Sequence, residues 1–380
     1  LKNNIIVAWK NPAIKPGVSN FILRRNNMSY ETGMAAMNLE MPRRIPRSEY
    51  SAELYFDLMK EVTGIDVHDD SPQELKTKAM MAFRKAWNYD FNWNIMIDAQ
   101  YAFKDKRTKM GHAEFTQGGI DYTDDITEMF KTPEEVFAFD PYEVFGVINI
   151  EEEASKFEEN YNERCRLFPD EVNMTGVYIT CISGLIDLLG WDMLLYAAGV
   201  DPDAFGEFTT RYTDWIGQYY KALALSDVPI AMVHDDLVWT AGPFIHPDWY
   251  RKYVFPNIKK NMIPLKDSGK KVMFTSDGNF DMFIEDVAGC GVDGFIIEPI
   301  TDISAIAEKY GKTHVIIGNA DTRIVMFGSR EEIRAEVKRC MDIGRSCPGF
   351  FMAIGNHISP NSSIENLLYY NECYEKMCLR

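Results

Sequence analysis

Through the second half of the chain one pattern of apolar and polar positions repeats: a short apolar run, rich in β-branched residues, stops at polar side chains capable of chemistry. Pro229-Ile230-Ala231-Met232-Val233 runs into His234-Asp235-Asp236, and Lys271-Val272-Met273-Phe274 into Thr275-Ser276-Asp277-Gly278-Asn279. Asp293-Gly294-Phe295-Ile296-Ile297 ends at Glu298-Pro299, His314-Val315-Ile316-Ile317 at Gly318-Asn319-Ala320-Asp321, and Phe350-Phe351-Met352-Ala353-Ile354 at Gly355-Asn356-His357. Continuous apolar runs of this length suit strands buried on both faces. Amphipathic stretches separate them: Asp201 to about Ala224, a helix opened by His246-Pro247-Asp248, one capped by Ser329-Arg330-Glu331-Glu332, and a last one capped by Ser362-Ser363-Ile364-Glu365. Strand and helix in alternation, with polar groups at each strand's C-terminal end, predict an α/β fold, a (β/α)8 TIM barrel with a site at its mouth.

The first 85 residues read differently, as a mainly helical N-terminal extension packed on a single barrel domain spanning 1–380. Ser71-Pro72-Gln73-Glu74 has the form of a capping box opening a helix through Lys76, Met80, Met81 and Phe83. Thr132-Pro133-Glu134-Glu135 repeats the device, and Ser48 to about Gly64 carries Leu54, Tyr55, Leu58 and Met59 at helical spacing. Trp87 to Asn94 alternates aromatic and polar residues at period two, a half-buried strand, and Ile95-Met96-Ile97-Asp98 extends it as the first barrel strand. Its aromatics form either a core ladder or, through Trp93, a flat wall for a planar ligand.

Composition narrows the classes. The 380 residues carry a formal charge of −17, which argues against a nucleic-acid partner, because phosphate binding needs a basic footprint. No apolar run reaches the roughly 18 residues of a membrane span, and no basic-then-apolar leader opens the chain, so a cytoplasmic protein is expected. The seven cysteines form no Cys-x-x-Cys pair, which fits free thiols in a reducing compartment. The basic run Arg251, Lys252, Lys259, Lys260, Lys266, Lys270 and Lys271 is either a solvated helix face or a dock for an acidic partner.

At the strand ends, His234-Asp235-Asp236 is the densest cluster. Two close carboxylates split their pKa values into an acid and a base, provided the right side chains face the mouth; adjacent strand residues point to opposite faces. Asp277 lies beside a glycine that lets backbone approach a ligand, although Asp-Gly is equally turn chemistry. Glu298 ends an apolar strand, where a carboxylate is costly unless paired or facing a cavity. His357, at the last strand end, is the expected proton carrier or metal ligand. No His-x-Cys pair or His-Glu-x-x-His motif coincides with these positions, so no metal is expected, an oxygen-rich site for a harder cation being the alternative. No glycine-rich phosphate loop is present.

In order and spacing, His234-Asp235-Asp236, Gly242-Pro243, Ser276-Asp277-Gly278-Asn279, Gly318-Asn319-Ala320-Asp321 and Gly355-Asn356-His357-Ile358 with Glu365-Asn366 resemble the uroporphyrinogen decarboxylase superfamily, over roughly residues 172 to 377. The resemblance implies a (β/α)8 barrel and either decarboxylation or methyl transfer to or from corrinoid proteins. Where the decarboxylases carry an arginine-rich signature, this chain has Met41-Pro42-Arg43-Arg44-Ile45-Pro46-Arg47, which does not match. The zinc-dependent thiol methyltransferases use a His-x-Cys pair and a distant cysteine; Thr275, Asp277 and Asn356 stand at those positions. What remains is similar to the corrinoid-dependent O-demethylases.

The resemblance therefore implies a methyltransferase that moves a methyl group from a small, methoxylated aromatic donor to a corrinoid protein. No cofactor is held tightly, since the partner supplies the corrinoid (a cobalamin-type cobalt centre). Asp277, His357, Glu298 and Asp236 are the expected catalytic residues, and His234, Asp235, Asn279, Asn319, Asp321, Trp93 and Trp239 the expected substrate contacts. The alternatives are decarboxylation of a carboxylated tetrapyrrole or ring, and a non-catalytic barrel that carries a corrinoid. Oligomeric state stays open, a homodimer being one option.

Overall fold

The computed structural model describes residues 28–108, 114–116, 119–121 and 129–380; the first 27 residues of the expected extension lie outside this set. The alternating aromatic segment forms a short strand, Phe91–Asn92 (β1), parallel to Val172–Asn173 (β2). Thr175–Val177 (β3), Ile230–His234 (β4), Lys271–Ser276 (β5), Gly294–Ile297 (β6), Val315–Ile317 (β7) and Phe350–Phe351 (β8) follow, paired in parallel in that spatial order. Ile97 bridges Val177, joining the β1 segment to β3.

The circuit is closed by a strip that the apolar pattern hides. Arg47 bridges Met352 in parallel; Met352 N–H donates to Pro46 O at 2.8 Å and Ser48 N–H to Met352 O at 3.0 Å. On the strip's other side Asp90 N–H donates to Arg47 O at 2.8 Å. Residues 46–48 thus supply the barrel strand ahead of β1, so Ile95–Asp98 continues the second barrel segment and does not begin the first. The helix expected from Ser48 begins only beyond the strip, as a 3-10 turn at Ala52–Leu54 and an α-helix at Phe56–Thr63. The parallel (β/α)8 architecture expected from the strand-helix alternation is present.

Period two sorts the strand residues into two cores. Phe91, Val172, Met174, Ile230, Met232, Met273, Ile296, Val315, Ile317, Phe351 and Ala353 fill the lumen, together with Ala36 and Met37 from the helix Met28–Met37. That helix plugs one end of the barrel, and Gly33 permits it: a Cβ there would stand 2.3 Å from Asp90 O. Ala231, Val233, Val272, Phe274, Phe295 and Ile316 point outward into the larger layer between strands and helices.

The helix signals mostly translate. Asp201 caps Pro202–Leu225, Ser329 forms its capping box on Arg330–Gly344, and Ser363 caps Ile364–Met377. Ser71 differs: its hydroxyl accepts from His68 N–H, and the helix Gln73–Ala86 starts after Pro72 without a side-chain cap. Four residues of the basic run are paired with acidic neighbours, Arg251 with Asp286, Lys252 with Asp203, Lys260 with Asp214 and Lys266 with Asp293, while Lys270 donates to the backbone carbonyls of Ser226 and Val228. Among the described residues one helix, Cys181–Val200, is apolar and long enough to cross a membrane, and 72% of its most apolar stretch is buried inside the protein.

Candidate active site

The register that buries Ile230 and Met232 in the lumen carries on past the strand end, so His234 and Asp236 emerge facing the mouth. In the same way Met273 leads to Thr275 and Asp277, Ile296 to Glu298, Ala353 to Gly355 and His357, and Met174 to Tyr178. These residues converge on one cavity of about 970 Å³, lined also by Tyr50, Trp93, Asp98, Asp187, Asp321, Arg323 and Asn356. That volume lies within the ordinary range for small-molecule sites, roughly 300–1,000 Å³.

The acidic groups are held in place by neighbours. Asp236 Oδ1 lies 2.8 Å from His234 Nε2 and accepts Asp277 N–H at 3.1 Å, while Asp236 N–H donates to Ser183 Oγ at 2.7 Å. Glu298 accepts Gly278 N–H at 2.6 Å and the Asn356 side-chain amide, so its carboxylate bridges the β5 and β8 loops. Gly278 has φ near +78°, and a Cβ there would meet Trp239 O and Val238 O at 2.7 Å, which explains the glycine after Asp277. His357 Nδ1 pairs with Ser51 Oγ; burial, and then His234 nearby, push the imidazole down to about 4, leaving it neutral near pH 7.

An aromatic wall faces these groups. The Tyr178 ring stands 4.1 Å from the His234 ring at a steep angle, Trp93 lies 6.5 Å from His234, and Tyr50 lies 5.2 Å from Trp93. Burial and then Asp236 and Asp277 hold the Tyr178 phenol well above its ordinary range, so it stays protonated beside two carboxylates. Tyr178 and Tyr50 were not among the expected site residues. Tyr178 ends an apolar strand just as His234 does, and the strand-end rule could have found it; Tyr50 follows the closing strip, which has no apolar run to announce it.

Four expected substrate contacts do not line the cavity. Asp235 is fully buried on the opposite face of its strand, where it accepts the N–H groups of Cys181, Ile182 and Ser183 at 3.0, 2.7 and 2.9 Å, capping the helix Cys181–Val200 that follows the neighbouring strand β3. Asn319 is also fully buried; its amide donates to Glu298 O and Thr301 O at 3.1 Å and anchors the loop after β6. Asn279 accepts from Asp281 N–H at 3.1 Å, which is turn chemistry. Trp239 sits outside, 44% exposed, against Trp191 and Phe244. Asp277, His357, Glu298, Asp236, His234, Asp321 and Trp93 do line the cavity, Asp321 in a bidentate pair with Arg323 that holds its carboxyl below the ordinary range.

None of the cysteines lines the cavity, and all seven are free thiols. Arg44 and Arg47 are withdrawn from it: Arg44 is bidentate to Asp90, and Arg47 is buried on Glu49 between the rings of Trp87, Tyr370 and Tyr374.

A parallel barrel with polar strand ends around a cavity at one rim defines the class of this protein. Over residues 167–377, more than half of the chain, it matches the family described as Uroporphyrinogen decarboxylase (URO-D), and it belongs to that family. Uroporphyrinogen decarboxylases from Geobacter sulfurreducens and Carboxydothermus hydrogenoformans are each 26% identical to it, over 184 and 176 residues. These stretches are 48% and 46% of this chain and 52% and 49% of the relatives, so the chain spans about half the length of the curated relatives it matches. A methyltransferase from Methanosarcina mazei has the same fold, with a TM-score of 0.62 at 16% identity over 92% of this chain and 98% of that one.

Proposed function

We propose that this protein is the substrate-side methyltransferase of a corrinoid-dependent demethylation system, transferring a methyl group from a small methoxylated aromatic donor to a separate corrinoid protein. The observation that carries this reading is the composition of the mouth: the aromatic rings of Tyr50, Trp93 and Tyr178 line the same cavity as His234, Asp236 and Asp277. The aromatic body of the donor packs on these rings. Reduced cobalt contributes the electron pair of the new cobalt–carbon bond, and the carbon–oxygen pair stays on the leaving oxygen. That oxygen needs a proton or an electrophile near neutral pH. Tyr178, kept protonated and set among Asp236 and Asp277, meets that need, while Glu298 and Asn356 tie down the loops that carry Asp277 and His357.

Two further observations support methyl transfer over decarboxylation of a polycarboxylated ring. Such a substrate calls for arginine forks, yet Arg44 and Arg47 are locked in buried pairs and the mouth exposes Asp98, Asp236, Asp277, Glu298 and Asp321. The barrel also follows that of a methyltransferase over nearly its whole length. Decarboxylation is the second reading, favoured by the names of the curated relatives and by the two arginines, Arg107 and Arg323, that line the cavity.

The test is incubation with cob(I)alamin or a reduced corrinoid protein and a panel of methoxylated aromatics, following methylcobalt absorbance. Methylcobalt should form with at least one donor, and Asp277→Ala, with an unchanged circular-dichroism spectrum, should slow it by on the order of 100-fold or more. Absence of methylcobalt with every donor, together with carbon dioxide release from a carboxylated tetrapyrrole, would reverse the order of the two readings.

A further inference from the structure

We propose that His234, Asp236 and Asp277 form a binding site for one divalent metal ion of borderline hardness, zinc or manganese, on the floor of the barrel mouth. His234 and Asp236 come from the inward face of β4 and its extension, Asp277 from the inward face of β5 and its extension. One imidazole nitrogen and one oxygen from each carboxylate lie within 4.8 Å of one another. This donor set is unlike the thiolate sites considered from the sequence, and it shares only Asp277 with the positions those sites use.

Charge supports the assignment first. Two carboxylates side by side in a partly enclosed cavity repel, and the low local dielectric magnifies that cost. A divalent cation held between them offsets that repulsion. Orientation is already supplied: Ser183 Oγ accepts Asp236 N–H at 2.7 Å, and Asp277 N–H reaches Asp236 Oδ1 at 3.1 Å, the kind of outer support that fixes metal ligands.

Thr275 is an independent pointer. It lies on the same inward face, two residues before Asp277, directly opposite His234 in the β4–β5 register. The residue lines the cavity and is only 7% exposed, yet its Oγ1 is buried with no hydrogen-bond partner among the described residues. A buried hydroxyl left unpaired costs about 1–3 kcal/mol. A cation or its coordinated water among His234, Asp236 and Asp277 gives this oxygen a partner.

Three protein donors leave coordination positions open toward the cavity, the arrangement of a catalytic rather than a structural site. Mixed imidazole and carboxylate ligation favours zinc or manganese over calcium, which takes six to eight oxygens. In the methyl-transfer reading, on which this catalytic meaning rests, the ion would act as a Lewis acid on the leaving oxygen. The site itself is independent of any donor or corrinoid.

The experiment is therefore done without either. The chain is stripped with chelator and titrated with Zn2+ and Mn2+ by calorimetry, with Co2+ as a visible-absorbance probe. One equivalent should bind the native chain and raise its Tm, and His234→Gln and Asp277→Asn should each weaken binding by at least about 100-fold with circular dichroism unchanged. Thr275→Val, which keeps the shape and removes only the hydroxyl, should weaken it less, by roughly 10-fold. No saturable binding, or binding equally tight in the His234 and Asp277 variants, overturns the proposal. Binding as expected alongside absent methyl transfer would retire the methyl-donor reading and leave the metal site standing.

Discussion

His357 enters the site as a neutral base, and its surroundings give it a measurable pH signature. Unfolded, an imidazole titrates near 6.5; folded, burial and then His234 bring it down to about 4. Between those values the unfolded chain holds the extra proton, so stability is full above about 6.5 and declines as the pH falls through the window. The loss attributable to this residue reaches at most about 3 kcal/mol. His357→Gln should flatten the difference in urea midpoint between pH 7 and pH 4.5 relative to the native chain, and an unaltered pH slope would contradict the assignment. Residue-level chemistry was readable at the strand ends, which is why Asp277, Glu298, His234 and His357 were found. The direction of each side chain was less so: His234-Asp235-Asp236 admits two alternations, and only the lumen packing of Ile230 and Met232 selects the one that turns Asp235 away.

Among the elements, the helix Cys181–Val200 shows how a strand end can serve as a helix cap. Thr180 precedes it without a side-chain cap, and Asp235 supplies the acceptor from the neighbouring strand, a buried carboxylate on three N–H donors at a positive helix end. Gly184 in its first turns admits the Tyr212 hydroxyl, which would stand 1.8 Å from a Cβ. Asp235→Ala should cost about 2–4 kcal/mol in chemical denaturation, the sum of a lost cap and buried N–H groups left unpaired. A loss below 1 kcal/mol would mean that water replaces the carboxylate. Caps carried on neighbouring residues, such as Ser329, Ser363 and Asp201, were legible because they are local. A cap delivered from another strand has no local signal.

For the whole molecule, closure depends on a pin between the two ends of the barrel. Arg47 Nε reaches Glu49 at 2.7 Å; Glu49 accepts Ile354 N–H at 2.8 Å beyond β8 and Tyr370 hydroxyl at 2.8 Å from the last helix. Both side chains are fully buried, so removing one strands a charge away from water. Arg47→Met should cost about 3–5 kcal/mol, and adding Glu49→Gln should restore part of it, because the uncompensated carboxylate is then gone. If the double variant is as unstable as the sum of the single ones, the pair is not coupled. The same pin removes Arg47 from the mouth, so at this scale stability and the charge of the cavity are linked.

Read alone, the sequence determined the barrel class, the strand-helix order from about residue 172, most helix caps and the chemical character of the rim, because period, capping and strand-end polarity are written over a few neighbouring residues. Only the tertiary structure decided that residues 46–48 close the ring, that Arg44 and Arg47 are locked away from the cavity, and that Tyr50 and Tyr178 join it. It alone set His234, Asp236 and Asp277 beside one another over Thr275. Those outcomes depend on which face of a strand meets the lumen and on contacts such as Arg47 with Asn371 across most of the chain. No local pattern specifies such contacts, since the energy that selects them comes from packing and burial of the whole barrel.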